Sequence, residues 1–188
     1  MSRALRLLAV LAGVAAGLAL AGCGSPQVTG IGVAATDEGT YLTVGHLKYQ
    51  VQLSRQINPY DTEDRDYLKG LPPGLSLGTS DIWFGVFMRV ENDTSAVHAA
   101  TSDYSITDTQ RNTWRPVRLN LGQNLFAYHA RTLGPTELLP NPESIAGSNA
   151  IRGELLLFKI PVADLQNRPL VLHIIQSGSP TASMELDL

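Results

Sequence analysis

His46-Leu47-Lys48-Tyr49-Gln50-Val51-Gln52-Leu53 alternates without a break: Leu47, Tyr49, Val51 and Leu53 fall on one side, His46, Lys48, Gln50 and Gln52 on the other. A period of two held over this length is the signature of a strand with one face buried and the other wet. Trp83 to Val90 differs in being apolar on both faces, with Ile82, Phe84, Val86, Met88 and Val90 on one of them. That composition predicts a central strand covered, at least in part, from both sides. Glu91-Asn92-Asp93-Thr94 then turns the chain. Strands whose faces alternate belong to antiparallel sheets rather than to a doubly wound parallel one.

The remaining strands follow by the same reading. Tyr104–Thr107 and Thr113–Val117 flank the turn-forming run Asp108-Thr109-Gln110-Arg111-Asn112, which predicts a hairpin with Pro116 at an edge or a strand end. Ile151–Ile160 is a strand stopped by Pro161, Leu170–Ile175 is another, and Ser183–Leu188 is the last, with Met184, Leu186 and Leu188 on one side. About seven or eight short strands without a long helix predict an all-β, antiparallel β-sandwich. No internal repeat of fixed period is visible.

The N-terminus reads as an address. Arg3 and Arg6 give a basic flank, and from Leu7 to Leu20 the chain is uncharged. That run is shorter than the roughly 20 residues a helix needs to cross a bilayer, and with its flank it reads as an export signal. It closes on Leu20-Ala21-Gly22-Cys23, which resembles the bacterial lipobox. The resemblance implies cleavage before Cys23 and a diacylglyceryl group on its thiol. Two or more acyl chains hold a protein stably at a membrane, so residues 1–22 are expected to be removed and the rest to sit lipid-anchored on the extracytoplasmic face. Arg3 and Arg6 are not adjacent, which argues against a twin-arginine signal.

Cleavage leaves 166 residues, the size of one domain. Without Arg3 and Arg6, twelve basic residues face seventeen acidic ones, a formal charge of −5. An acidic domain with no Lys/Arg run argues against nucleic acid and against a polybasic grip on lipid. Cys23 is the sole cysteine, so no disulfide staples the fold. Residues 23–40, rich in Gly, Ala, Ser and Thr, are read as the lipidated Cys and a flexible tether, within which Val28–Val33 has the makings of a short edge strand; the sandwich is placed at 41–188.

The order of motifs carries a second resemblance. After the lipobox and tether come Val44-Gly45 and Leu47-Lys48-Tyr49, then an aromatic strand ending in Arg89-Val90-Glu91-Asn92. Tyr104-Ser105-Ile106-Thr107-Asp108 and Gly153-Glu154-Leu155-Leu156-Leu157-Phe158-Lys159-Ile160-Pro161 follow. Residues 41–188 are similar to the telokin-like, immunoglobulin-like exported domains of Gram-positive bacteria. The resemblance implies an immunoglobulin-like sandwich and brings no catalytic residues with it. The inserts at 54–80 and 118–150 are longer than that pattern needs.

Long loops are usually functional or disordered. In the first, Asp61 is a good N-cap, Glu63 and Asp64 suit the first turn, Lys69 the last, Gly70 the C′ position, and Pro72-Pro73 forbid continuation. A helix over Thr62–Lys69 is predicted, pinned by Tyr60, Tyr67 and Leu68, as either a plug on the core or a recognition surface. In the second, Leu125, Phe126, Tyr128 and Leu133 are expected to form one apolar cluster, and Pro135–Ser148 the mobile part. Tyr60, Arg65, Tyr67, Phe126 and Tyr128 are the candidate partner-binding residues.

Chemistry is sparse. His46, His98, His129 and His173 lack metal-ligand spacing. Asp61-Thr62-Glu63-Asp64-Arg65-Asp66 lacks the spaced acids and central Gly of an EF-hand, so it reads as a solvated helix start. No Gly-x-Ser-x-Gly elbow, His-Glu-x-x-His or P-loop occurs. No catalytic residue, metal or cofactor is therefore assigned. Asn92-Asp93-Thr94 matches the N-glycosylation sequon, which in a bacterial lipoprotein is read as chance. The leading expectation is a non-enzymatic binding or accessory module of the envelope, held to the membrane through Cys23 and presenting loops to an envelope protein or wall component. A small-ligand or lipid carrier, with a pocket between sandwich and inserts, is the alternative. An envelope hydrolase is a third.

Overall fold

The computed structural model describes residues 27–29 and 32–187; the signal and Cys23 lie outside them. Two long strands, β4 (Leu47–Ile57) and β5 (Asp81–Glu91), pair antiparallel along most of their length. The other side of β5 is shared by the short β10 (Leu138–Leu139) and by β11 (Glu154–Pro161), and β3 (Tyr41–Val44) completes this sheet beyond β4. The facing sheet runs β1 (Gln27–Thr29), β2 (Gly32–Ala35), β13 (Thr181–Leu186), β12 (Leu170–Ile175), β7 (Asp103–Thr107) and β8 (Thr113–Trp114). A small separate ladder joins β6 (His98–Ala99) to β9 (Thr132–Leu133). The protein is an all-β sandwich, and the strands expected from alternation lie within a few residues of their predicted places.

Between the sheets the inward positions interlock: Tyr49, Val51, Phe84, Met88 and Phe158 from one sheet, Tyr104, Ile106, Leu172 and Met184 from the other, all essentially inaccessible. A second apolar core lies on the outer face of β4–β5–β11, built from Ile57, Trp83, Phe87, Leu155 and Leu157 and covered by both inserts. This is why Trp83–Val90 is apolar on both faces.

Three expectations are corrected. The alternation of β4 does not run through to Leu53. The register slips between Val51, opposite Met88, and Leu53, opposite Phe87, a β-bulge in which Gln52 is the extra residue. One inserted residue exchanges the faces, so Leu53 and Ile57 join the outer core instead of the inner one. The sheets are also not wholly antiparallel, because β2 pairs parallel with β13, Gly32 opposite Thr181 through Ala35 opposite Met184. Consequently the stretch read as a tether is already structured from Gln27–Thr29, which folds back antiparallel on β2. Gly32 is required there: a Cβ would lie 2.1 Å from the Thr181 carbonyl oxygen.

The second insert is not one cluster with a mobile arm. Leu125 is exposed, Phe126 packs in the outer core, and Tyr128 and Leu133 belong to the inner one. Within Pro135–Ser148, β10 pairs with β5 and a single helical turn, α2 (Ile145–Ser148), is capped by the Ser144 hydroxyl, which accepts from Gly147 N at 3.0 Å. The same insert protects the edge of β11. Val117 N donates to Leu157 O and Leu155 N to Phe126 O, both at 2.7 Å, and Tyr128 N to Leu155 O at 2.9 Å. An open apolar edge would invite pairing with another chain.

Candidate binding surface

The first insert leaves β4 at Ile57 and is fastened by a buried carboxylate. Asp64 receives both terminal nitrogens of Arg55, Nη1 at 2.9 Å to Oδ2 and Nη2 to Oδ1, and Asn58 N at 2.7 Å. The Arg55 hydrogen bond holds the Asp64 carboxyl below its ordinary range, against the opposing effect of burial. The Asp61 carboxylate accepts from Glu63 N and Asp64 N at 2.8 and 3.3 Å, the capping role expected of it. The α-helix is limited to α1 (Asp64–Tyr67), shorter than Thr62–Lys69, with turns on either side. Gly70 closes the turn that follows α1 with φ +73°, and a Cβ there would meet Asn120 O at 2.8 Å. Lys69 pairs with Asp66 at 2.7 Å. The acidic run is thus spent on capping and pairing.

Of the five candidate binding residues, two are at the surface. Tyr60 is 93% exposed, and Arg65 is exposed beside the Thr62 hydroxyl. Tyr67 is only 6% exposed. Its ring meets Phe87 and Phe126 edge-on at 5.0 and 4.9 Å, the Arg55 guanidinium lies 5.7 Å from its centroid, and its hydroxyl accepts from Asn149 Nδ2. It is the hub of the outer core, and Phe126 is half-buried against it. Tyr128 is likewise committed: its hydroxyl accepts from Tyr104 and donates to Thr101 O, both at 2.8 Å. Tyr49 extends this network by accepting Thr101 N at 2.9 Å. Hydroxyls in an apolar interior need such partners, and burial raises the pKa of all three tyrosines.

What the inserts do expose is apolar. Of six large hydrophobic residues that are well exposed among the described residues, Tyr60, Leu121, Leu125 and Ile145 lie on the inserts. Leu125 and Ile145 line one shallow hollow together with Phe126 and the Asp66–Lys69 pair. The two inserts are tied together behind it: Asn124 Nδ2 donates to Tyr67 O and Lys69 O, each at 2.9 Å, and Asn120 N to Gly70 O at 2.8 Å.

A larger cleft, about 470 Å³, opens where the chain crosses from β8 to the edge of β11 at Pro116. Tyr104, Tyr128 and Leu155 contribute to its lining along with Arg115, Arg118 and His129. Arg115 is paired with Asp103 at 2.6 Å. Nearby, Glu154 accepts His129 N at 2.8 Å, and burial pushes its carboxyl up to about 7. No sequence signal marked this carboxylate, because it occupies an inward position at a strand end that reads as ordinary strand polarity.

The histidines do not converge on one site. His46 and His98 stack with centroids 4.5 Å apart, while His173 lies between Thr107 Oγ1 and Ser183 Oγ at 2.8 and 3.0 Å, its pKa lowered by burial. Among the described residues no three His, Cys, Asp or Glu side chains are grouped to hold a metal. The sequon asparagine, Asn92, is wholly buried, its amide donating to Ala96 O, Leu133 O and Gly134 O. It is a structural clasp.

No family model and no curated protein matches the chain. Solved structures do. The yjhA protein of Bacillus subtilis superposes with a TM-score of 0.51 at 12% identity, over 81% of this chain and 99% of its own. An uncharacterized β-sandwich protein from Clostridium difficile 630 gives 0.44 at 8%, covering 81% and 93%. A conserved hypothetical protein from Bacillus anthracis gives 0.43 at 9%, covering 76% and 91%. At these identities the likeness to the first concerns fold alone: this is a β-sandwich protein of the same general architecture.

Proposed function

We propose that the chain is a bacterial lipoprotein whose sandwich, similar to the telokin-like, immunoglobulin-like exported domains, is a non-enzymatic binding module on the extracytoplasmic face of the cell membrane. The basic flank, the uncharged run and Leu20-Ala21-Gly22-Cys23 support the address. The observation that supports binding is the exposure of Tyr60, Leu121, Leu125 and Ile145 on the two inserts. Apolar side chains held out on a pinned scaffold suit contact with an envelope protein or wall component. Anchoring concentrates the module near a membrane partner.

The test is crosslinking in intact cells, followed by identification of what copurifies. A partner recovered with the native chain and lost from Tyr60→Ala/Leu125→Ala supports the reading. Recovery unchanged by that double substitution removes the inserts from it. Cys23→Ala is expected to release the protein from the membrane fraction, and retention there would refute the lipid anchor. A second reading, a small-ligand carrier, is favoured by the 470 Å³ cleft beside Tyr104 and Tyr128, whose volume is within the range of ligand sites. A metabolite or lipid extracted stoichiometrically from the purified chain would select it.

A further inference from the structure

The chain leaves the central sheet at Leu139, opposite Val90, and returns at Glu154, opposite Met88. Residues 140–153 therefore form an arch whose two feet flank Arg89, the one position between them with no strand partner on that side of β5. On the other side Arg89 is opposite Gln50. Beneath the arch lies a cleft of about 440 Å³, lined by Arg89, Arg152, Leu138, Pro140, Pro142 and Gly147 among others.

Its chemistry is one-sided. Neither the Arg89 nor the Arg152 guanidinium has a hydrogen bond or ion pair among the described residues, although six other arginines or lysines on this acidic domain pair at 3.0 Å or less with the carboxylates of Asp64, Asp66, Asp81, Asp93, Asp103 and Glu137. The closest acids in sequence, Glu91 to Arg89 and Glu154 to Arg152, pair with neither guanidinium, and nor does Glu143 on the arch. Two like charges share a cleft walled by Leu138 and two prolines, which have no N–H and offer no counter-charge. The arch is also set in shape: Ser144 N donates to Asn141 O, Ser148 N to Ser144 O and Glu143 N to Asn141 Oδ1, each at 2.9 Å. A Cβ on Gly147 would lie 2.0 Å from Asn141 O. The backbone of the arch thus needs no ordering when a ligand enters, which lowers a common cost of binding.

We infer that this cleft binds a phosphate-ester anion of small-molecule size, gripped by Arg89 from the sheet and Arg152 from the arch. Guanidinium forks match the oxygens of such a group and keep their charge at any physiological pH. The ester's organic part would lie against Leu138, Pro140 and Pro142. The same group could come from a soluble phosphate ester or from a phospholipid headgroup.

The experiment uses the full chain carrying Cys23→Ala, so that no acyl group confuses the lipid arm. Glycerol 3-phosphate is titrated calorimetrically at low salt, and cosedimentation is measured with vesicles containing phosphatidylglycerol. The expected result is binding weakened at least tenfold by Arg89→Gln and by Arg152→Gln, falling with added salt, and unchanged by Arg118→Gln, which alters an exposed arginine at the other cleft. Because Arg152 is exposed, its variant should keep the native melting curve and stands as the test if Arg89→Gln misfolds. Binding of glycerol 3-phosphate assigns a soluble ester. Vesicle binding alone, with the same dependence on Arg152, assigns a headgroup. No binding in either arm, or equal losses in Arg118→Gln and Arg152→Gln, overturns the site.

Discussion

Asp64 and Glu154 are both carboxylates withdrawn from water, and their surroundings drive them in opposite directions. Asp64 has Arg55 and Asn58 N, so its folded pKa is depressed. Its contribution is present above the unfolded value near pH 4 and is lost as pH falls through the lower folded one. Asp64→Ala strands the guanidinium and should cost about 2 kcal/mol in urea unfolding, less than the 3–5 of a fully buried pair because Arg55 is a third exposed. Glu154 has one hydrogen bond and a folded value near 7. Here the folded state holds the proton more tightly, so stability declines as pH rises from about 4.5 to 7. Glu154→Gln keeps an acceptor for His129 N and removes the charge. It should leave stability unchanged at pH 4.5 and raise it by roughly 1–3 kcal/mol at pH 8; a pH-independent difference would show that Glu154 does not titrate in this range.

At the scale of elements, the inserts are held by few contacts that each serve two segments. Asn124 satisfies, from the other insert, the last carbonyl of α1 at Tyr67 and that of Lys69 in the turn after it. Asn124→Ala leaves Tyr67 O and Lys69 O short of a donor and should cost about 1–3 kcal/mol, with faster amide exchange across residues 61–70. If exchange there is unaltered, the inserts are not coupled in this way. The capping of that helix was legible, since Asp61, Gly70 and Pro72-Pro73 act through local backbone geometry. The burial of Tyr67 and Tyr128 was not. Loop aromatics look alike in sequence whether they face a partner or the protein's own sheet, and only the three-dimensional course of the inserts decides. The bulge at Gln52 was hidden for a related reason, because an extra residue within an alternating run changes the face without disturbing the pattern.

At the scale of the molecule, the sandwich was legible because alternation reports burial directly, whereas the parallel seam was not. Gly32–Ala35 is too short and its residues too small to show a period, and the seam depends on a strand about 150 residues away. The domain consequently begins before Tyr41. A chain starting at residue 41 is expected to melt lower than one starting at residue 24 and to self-associate, since it bares the outer edge of β13. Identical melting and a monomeric state for both would show that β2 is dispensable.

The seam also determines how the molecule meets tension. If Cys23 is moored in the bilayer while something grips the sandwich, the pull enters through β1 and β2. The hairpin turns back before it reaches β13, so its three cross-strand pairs would part first and release slack. Beyond that, load runs along β2, perpendicular to the hydrogen bonds joining it to β13. Bonds stressed sideways yield together, whereas bonds stressed lengthwise peel singly. Moored in that way, the line would be spliced into the hull, with a short loop of give ahead of a joint that holds.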